Sequence, residues 1–226
     1  MKFSRTSASR GPGSPDVTGF YDDDTGSIQY LVSDPDTGKA ALIDVVLTFN
    51  HQNASTDAAS VEKILRFAGQ AGLEIVWMLS PGHTLGSITY VVGDDAAFVH
   101  DTFMQPDAGT SRADFPGGSA DDLYNSLQDI LALPDHTRLF IGHDYGTKYR
   151  PGPEWESTVA EQRRHNIHIG GGTPREDYTK QRSARDKTLV LPDRMLHVLQ
   201  MNLRAGALPE AENDGNRYLK IPMNKV

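Results

Sequence analysis

Residues 73–104 read LEIVWMLSPGHTLGSITYVVGDDAAFVHDTFM. Leu73 to Leu79 is an apolar run broken only by Glu74, which suits a buried strand ending at Ser80-Pro81-Gly82. Ser87 to Val92 (SITYVV) and Ala96 to His100 (AAFVH) are two further β-prone runs, joined by a Gly93-Asp94-Asp95 turn. Working upstream, Ser27 to Ser33 (SIQYLVS) and Lys39 to Val46 (KAALIDVV) flank Asp34-Pro35-Asp36-Thr37-Gly38, whose turn residues predict a hairpin. Between that hairpin and Leu73, Ser55 to Gln70 has the spacing of an amphipathic helix. Val61, Ile64, Leu65 and Ala68 share one face, and Gly72 stands where a stop belongs.

Downstream, Ser119 with Asp122 three residues on caps a helix predicted through Leu131, and Pro134 lies just past its end. Arg138 to Ile141 is a short apolar strand. Further helices are expected over Trp155 to Ile167 and from Pro174 to about Asp186, the latter with Thr173 as N-cap. A stretch from Pro192 to Leu203 and a polar tail follow. Strand pairs alternating with helices predict an α/β protein with a partly antiparallel, mixed sheet. Residues 1–17 read as a flexible tail and 18–226 as one domain.

The 226 residues are 38% apolar and 23% charged, which excludes a disordered chain and allows a sizeable core. A net charge of −8 argues against broad binding to nucleic acid or to an anionic membrane. No apolar run approaches the roughly 18 residues of a membrane-spanning helix. The opening MKFSRTSASRGPGSPD has positive charge but no apolar centre, so a secretory signal is not expected and a cytoplasmic setting is. Cysteine is absent, which excludes disulfides, thiolate nucleophiles and cysteine-held metals.

Three side chains follow strands directly: His83 in Ser80-Pro81-Gly82-His83-Thr84, Asp101 after His100, and His143 in Gly142-His143-Asp144-Tyr145. A strand end is rigid yet open to solvent, as a metal or catalytic site requires. Imidazole and carboxylate also form the donor set for zinc or non-haem iron. Each residue alone also reads as an ordinary turn or surface residue.

Those three motifs, with His100-Asp101-Thr102-Phe103-Met104, resemble the later metal motifs of the metallo-β-lactamase superfamily. The run Asp107-Ala108-Gly109-Thr110-Ser111-Arg112-Ala113-Asp114-Phe115-Pro116-Gly117-Gly118 is similar to a segment typical of persulfide dioxygenases (sulfur dioxygenases) and their bacterial β-lactamase-like relatives. Asn166-Ile167-His168 and Leu199-Gln200-Met201-Asn202-Leu203-Arg204-Ala205-Gly206 look like the same branch. The resemblance runs from about Phe20 to the C-terminus and implies an αβ/βα sandwich with mixed sheets. The sandwich is expected to be incomplete in its N-terminal half. Superfamily members carry His-x-His-x-Asp-His after the strand matching Leu73 to Leu79, and this chain runs from Leu79 straight into Ser80 instead. A block of several dozen residues is missing at that junction.

The resemblance implies oxidation of glutathione persulfide to sulfite and glutathione by dioxygen at one non-haem iron(II), with zinc as the alternative metal. His83 and Asp101 match two of three iron ligands, and His143 matches a ligand of the second metal in dinuclear relatives. The runner-up is a glyoxalase II-type thioester hydrolase using a metal-bound hydroxide. A metal-free, non-catalytic scaffold is the third reading, supported by the missing motif. The expected partner is a small thiol or persulfide of glutathione type, with a second copy of the chain where apolar surface is left bare.

Arg112 and Asp114 read as an ion pair, either structural or backing the site. Tyr145 reads as a contact to the thiol substrate or as a buried tyrosine. His165 and His168 lie three apart on the expected helix, which favours a helix-face or interface role. Strand alternation sends His100 to the face opposite Asp101. His51, His136 and His197 have no supporting context, and Gly170-Gly171-Gly172 has no strand before it to make a phosphate loop.

Overall fold

The computed structural model describes residues 3–38, 40–44, 48–50, 55–57, 76–81, 83–192, 195–202, 204 and 207–221. Strands β1 (Phe3–Ser7), β2 (Asp16–Tyr21), β3 (Ile28–Ser33) and β4 (Ala40–Ile43) form an antiparallel sheet in chain order. Asp34 builds the β3–β4 turn: its carboxylate accepts from the Asp36 amide at 3.0 Å and the Thr37 hydroxyl at 2.6 Å. Strands β5 (Thr48–Asn50) and β6 (Ser55–Asp57) pair as a small ribbon.

The second sheet has the order β11-β10-β9-β8-β7, from β7 (Val76–Leu79), β8 (Ile88–Val92), β9 (Ala96–His100), β10 (Arg138–Ile141) and β11 (Glu156–Thr158). Its pairings are antiparallel except β9 with β10, which are parallel and joined by a crossover through α1 (Ala120–Leu131). The sheets are therefore mixed, in an α/β protein. Tyr30 of the first sheet meets Phe98 and Phe140 of the second edge-on, with centroids 5.3 and 5.6 Å away. One core cluster joins Val17, Ile28 and Val32 to Val99, Leu139 and Ile141, and to Leu123, Leu127 and Ile130 of α1. Helices α2 (Val159–His165), α3 (Arg175–Asp186) and α4 (Met195–Asn202), with a short 3-10 turn at Gly170–Gly172 between the first two, complete the described elements. Among the described residues no helix is long and apolar enough to cross a membrane.

The Ser119 cap stands as expected, accepting from the Asp122 amide at 3.2 Å. Four expectations are corrected. Residues 3–7 are not a tail but pair with β2 from Phe3↔Tyr21 to Ser7↔Val17. Fully buried Arg138 then ties residues 7–15 down through Ser7, Ala8, Ser14 and Pro15 while it pairs with Asp95. Ser55–Asp57 is a strand, not a helix start; Val61, Ile64, Leu65, Ala68 and Gly72 lie outside the described residues. The helix expected from Trp155 begins at Val159, because Glu156–Thr158 is first recruited to the free edge of β10. Thr158 then closes a capping box with Glu161. Thr173 is not the cap of α3; that position is Pro174, and the Thr173 hydroxyl donates instead to the Gly170 carbonyl at 2.9 Å.

Gly19 admits Trp155 to the face of the first sheet. A Cβ there would lie 2.3 Å from the indole nitrogen, and the indole stacks at 6.3 Å on Tyr21.

Candidate functional site

Parallel neighbours β9 and β10 end at the same edge, so the residues after them meet. The Asp101 Oδ1 accepts from His143 Nδ1 at 2.7 Å, and Asp101 Oδ2 lies 3.8 Å from His83 Nε2. The three expected residues thus come together on one edge. His83 arrives on the loop between β7 and β8, which is held at Pro81, whose carbonyl accepts from Ser126 of α1 at 2.6 Å. The His143 loop is held by β3: Ile28 donates to the Gly142 carbonyl at 2.7 Å and Asp144 donates to the Gly26 carbonyl at 2.8 Å.

His100 was expected on the opposite face and is not there. Phe140 pairs with Phe98 while Ile141 pairs with His100, so Val99 is an extra residue in β9. His100 takes φ 48° at this bulge. Its Nδ1 lies 3.6 Å from Asp101 Oδ2 and its Nε2 lies 2.9 Å from Asp44 Oδ2, at the end of β4. Sequence reasoning missed both His100 and Asp44. The period-two rule cannot see a bulge, and Asp44 (φ 57°) follows β4 without a turn motif.

Asp101 is therefore ringed by three imidazoles. Burial works against its charge, but His143, His100 and His83 outweigh burial and hold the carboxyl well below the usual carboxylate range. Burial likewise opposes protonation of His100, yet Asp101 and Asp44 push it up to about 9. His143 is also raised, because Asp101 outweighs the burial of its ring.

The tautomer of His83 follows from its partner. Its Nδ1 stands 2.7 Å from the Arg112 carbonyl, which can only accept, so Nδ1 carries the proton. In the neutral ring the lone pair of Nε2 then faces Asp101. A peptide carbonyl behind a ring nitrogen is the arrangement that orients histidines toward metals. Arg112 itself forks onto Asp114 at 2.6 and 2.7 Å, and donates to the Val190 carbonyl at 2.7 Å. Its guanidinium also covers the Phe115 ring at 4.8 Å, and that ring touches His83 edge-on at 5.1 Å. Tyr145 is exposed rather than buried and stacks on His143 with centroids 5.8 Å apart.

His168 is neither on the α2 face with His165 nor at this edge, since α2 ends at His165. Its Nδ1 accepts from the Thr110 amide at 2.9 Å. Gly109 (φ +88°) makes room, as a Cβ there would stand 2.2 Å from that nitrogen. Burial, then Arg182 and Arg185, bring the His168 pKa down to about 4.

Imidazole and carboxylate suit zinc or iron(II) in kind, but their arrangement decides. Among the described residues no group of three or more His, Cys, Asp or Glu side chains is disposed to hold a metal ion. Among the described residues the donor set offers two neighbouring groups, His83 and Asp101, and no third disposed with them.

No family model matches the chain. It is 40% identical to a β-lactamase hydrolase-like protein of Agrobacterium fabrum over 93% of this chain and 65% of that one. It is 33% identical to a probable metallo-hydrolase of Burkholderia pseudomallei over 93% of this chain and 99% of that one. With glyoxylase B2 of Dictyostelium discoideum it shares 39% identity over 75% of this chain and 59% of that one. The chain thus spans about 65% of the length of the Agrobacterium relative. That alignment runs over 286 positions, more than the 226 residues available, so at least 60 of its positions face no residue here. A metallo-β-lactamase structure from Staphylococcus aureus matches with TM-score 0.60 at 16% identity, over 90% of this chain and 78% of that one.

Proposed function

Because the chain belongs to the metallo-β-lactamase superfamily, with relatives named a β-lactamase hydrolase-like protein and a probable metallo-hydrolase, we propose that it acts on a small thiol-derived substrate at the Asp101 edge. The reading is a persulfide dioxygenase-type protein whose substrate is glutathione persulfide and whose metal set is incomplete in this chain. One observation carries it. His83 Nε2 and Asp101 Oδ2 face each other as two acceptors 3.8 Å apart. That is too long for a hydrogen bond but within the span of two ligands on one cation, whose bonds are about 2 Å each. The Arg112 carbonyl that sets His83 belongs to the run that resembles persulfide dioxygenases.

Bound iron(II) would supply coordination of the persulfide sulfur and of dioxygen. The chain's own residues do the rest. His83 and Asp101 would hold the ion from one side. His143 keeps its Nδ1 proton on Asp101 and turns its ring against Tyr145, whose exposed ring forms a wall for the substrate. Two protein donors give weak, partial occupancy, because affinity comes from several preorganised ligands.

Glyoxalase II-type thioester hydrolysis is the second reading, favoured by the likeness to glyoxylase B2. Anaerobic loading with iron(II) or zinc, followed by oxygen uptake on glutathione persulfide and hydrolysis of an acyl-glutathione, tests both. We expect substoichiometric iron and slow oxygen uptake that disappears in His83→Ala and Asp101→Ala. Thioester hydrolysis with zinc and no oxygen uptake would favour the second reading. Metal-loaded protein inert in both assays would overturn both.

A further inference from the structure

We infer that Arg150 is a positioning residue that locks together the two loops that set the imidazoles facing Asp101. Its side chain is only 11% exposed and spans two carboxylates. Nη1 and Nη2 donate to the two oxygens of Asp144 at 2.7 and 2.8 Å, and Nε donates to those of Asp107 at 3.0 and 2.9 Å. A planar fork can hold two carboxylates in one plane, whereas an ammonium cannot.

Each carboxylate belongs to a different loop. Asp144 is the neighbour of His143 and is itself 1% exposed. It also accepts from the Glu154 amide at 2.8 Å and the Gly146 amide at 3.1 Å, and its carbonyl accepts from the Tyr21 hydroxyl at 2.9 Å. Asp107 sits in the turn from Gln105 to Gly109, closed by the Gly109 amide on the Gln105 carbonyl at 2.8 Å. It also accepts from the Thr147 hydroxyl, on the His143 side. From that turn the chain passes through Thr110, bridged to Phe103, to Arg112, whose carbonyl accepts from the His83 Nδ1. One guanidinium therefore stands between the support of His143 and the support of His83. Arg150 itself bonds to Asp144, Asp107 and the Gly152 carbonyl, not to the edge, so it acts through these two rings.

The inference concerns the edge itself and needs neither metal nor substrate, so its outcome is separate from the dioxygenase reading. The test is nitrogen-15 correlation of the histidine rings in the full chain at neutral pH, with His83 and His143 assigned from His83→Gln and His143→Gln. In the wild type each of the two rings should show a protonated Nδ1 in a single environment. Arg150→Lys keeps the charge and loses the fork, and should abolish that single Nδ1-protonated pattern at both rings. Asp107→Asn weakens the arm toward Arg112 and leaves the fork on Asp144 in place, so it should disturb His83 more than His143. Arg163→Lys, altering a surface pair with Asp135, should change neither ring. If Arg150→Lys folds and leaves both ring patterns intact, the inference is overturned, whatever its melting temperature. If that variant does not fold, Asp107→Asn decides: an unmoved His83 pattern overturns the inference, and a lost one supports it.

Discussion

Asp101 Oδ1 and His143 Nδ1 are 2.7 Å apart although 42 residues separate them in the chain. This bond and the nearby His100 imidazole, whose pKa is pushed up to about 9, offset the carboxylate's charge without an added cation. Folding should therefore not depend on metal. Dialysis against a chelator is expected to strip any bound iron or zinc and leave the melting temperature unchanged within about 2 °C, a shift below that of ~1 kcal/mol in a domain of this size. Stoichiometric metal that survives the chelator, or a large fall in melting temperature, would contradict this.

Removing the carboxylate is a different matter. Asp101→Asn deletes the anion that three rings face. Charged hydrogen bonds contribute roughly 1.5–3 kcal/mol, and a loss of about 2 kcal/mol is expected in urea unfolding.

His168 adds to the fold a pH dependence of its own, away from the Asp101 edge. Its folded pKa is about 4, below the ordinary value near 6.5. The unfolded chain thus binds the extra proton first, so this contribution is complete above about pH 6.5 and is lost as pH falls toward 4. The full loss is on the order of 3 kcal/mol. Denaturant midpoints between pH 7 and 4 should fall more in the wild type than in His168→Gln.

Gly109→Ala should destabilise the chain by about 2–4 kcal/mol, by combining a left-handed backbone with an overpacked contact. The Cβ would meet the His168 ring at 2.2 Å. Adding His168→Ala should relieve the clash and leave the backbone strain, so the double variant should recover part of the loss.

Arg138→Met leaves Asp95 without its buried partner, at a cost of roughly 3–5 kcal/mol. It also frees residues 7–15, which that guanidinium ties down. Limited proteolysis should then cut within the first fifteen residues, where the wild type resists. Equal cutting in both proteins would show that β1 pairing alone holds the segment.

Much of this architecture is readable residue by residue. Asp34 to Gly38 and Ser119 act through partners within a few residues, so local sequence suffices to place the hairpin and the helix start. The strands before Asp101 and before His143 are continuous apolar runs, which is why two of the three edge residues could be expected where they are. What escaped has a distant cause. Phe3–Ser7 is polar and becomes a strand only by pairing with Asp16–Tyr21. Glu156–Thr158 looks like a helix start until the edge of β10 claims it. The proximity of Arg150 to Asp107 has no signal in spacing at all, since it depends on how two loops pack.

The extra residue at Val99 changes how many groups one strand can deliver to a rim. A regular pleat gives the rim every second side chain. Here the irregular count lets β9 present two adjacent ones, His100 to Asp44 and Asp101 to His143. A single strand end thus reaches both sheets at once. A one-residue deletion at Val99 would restore the alternation and turn one of those two groups away, so the width of the site is written in the length of one strand.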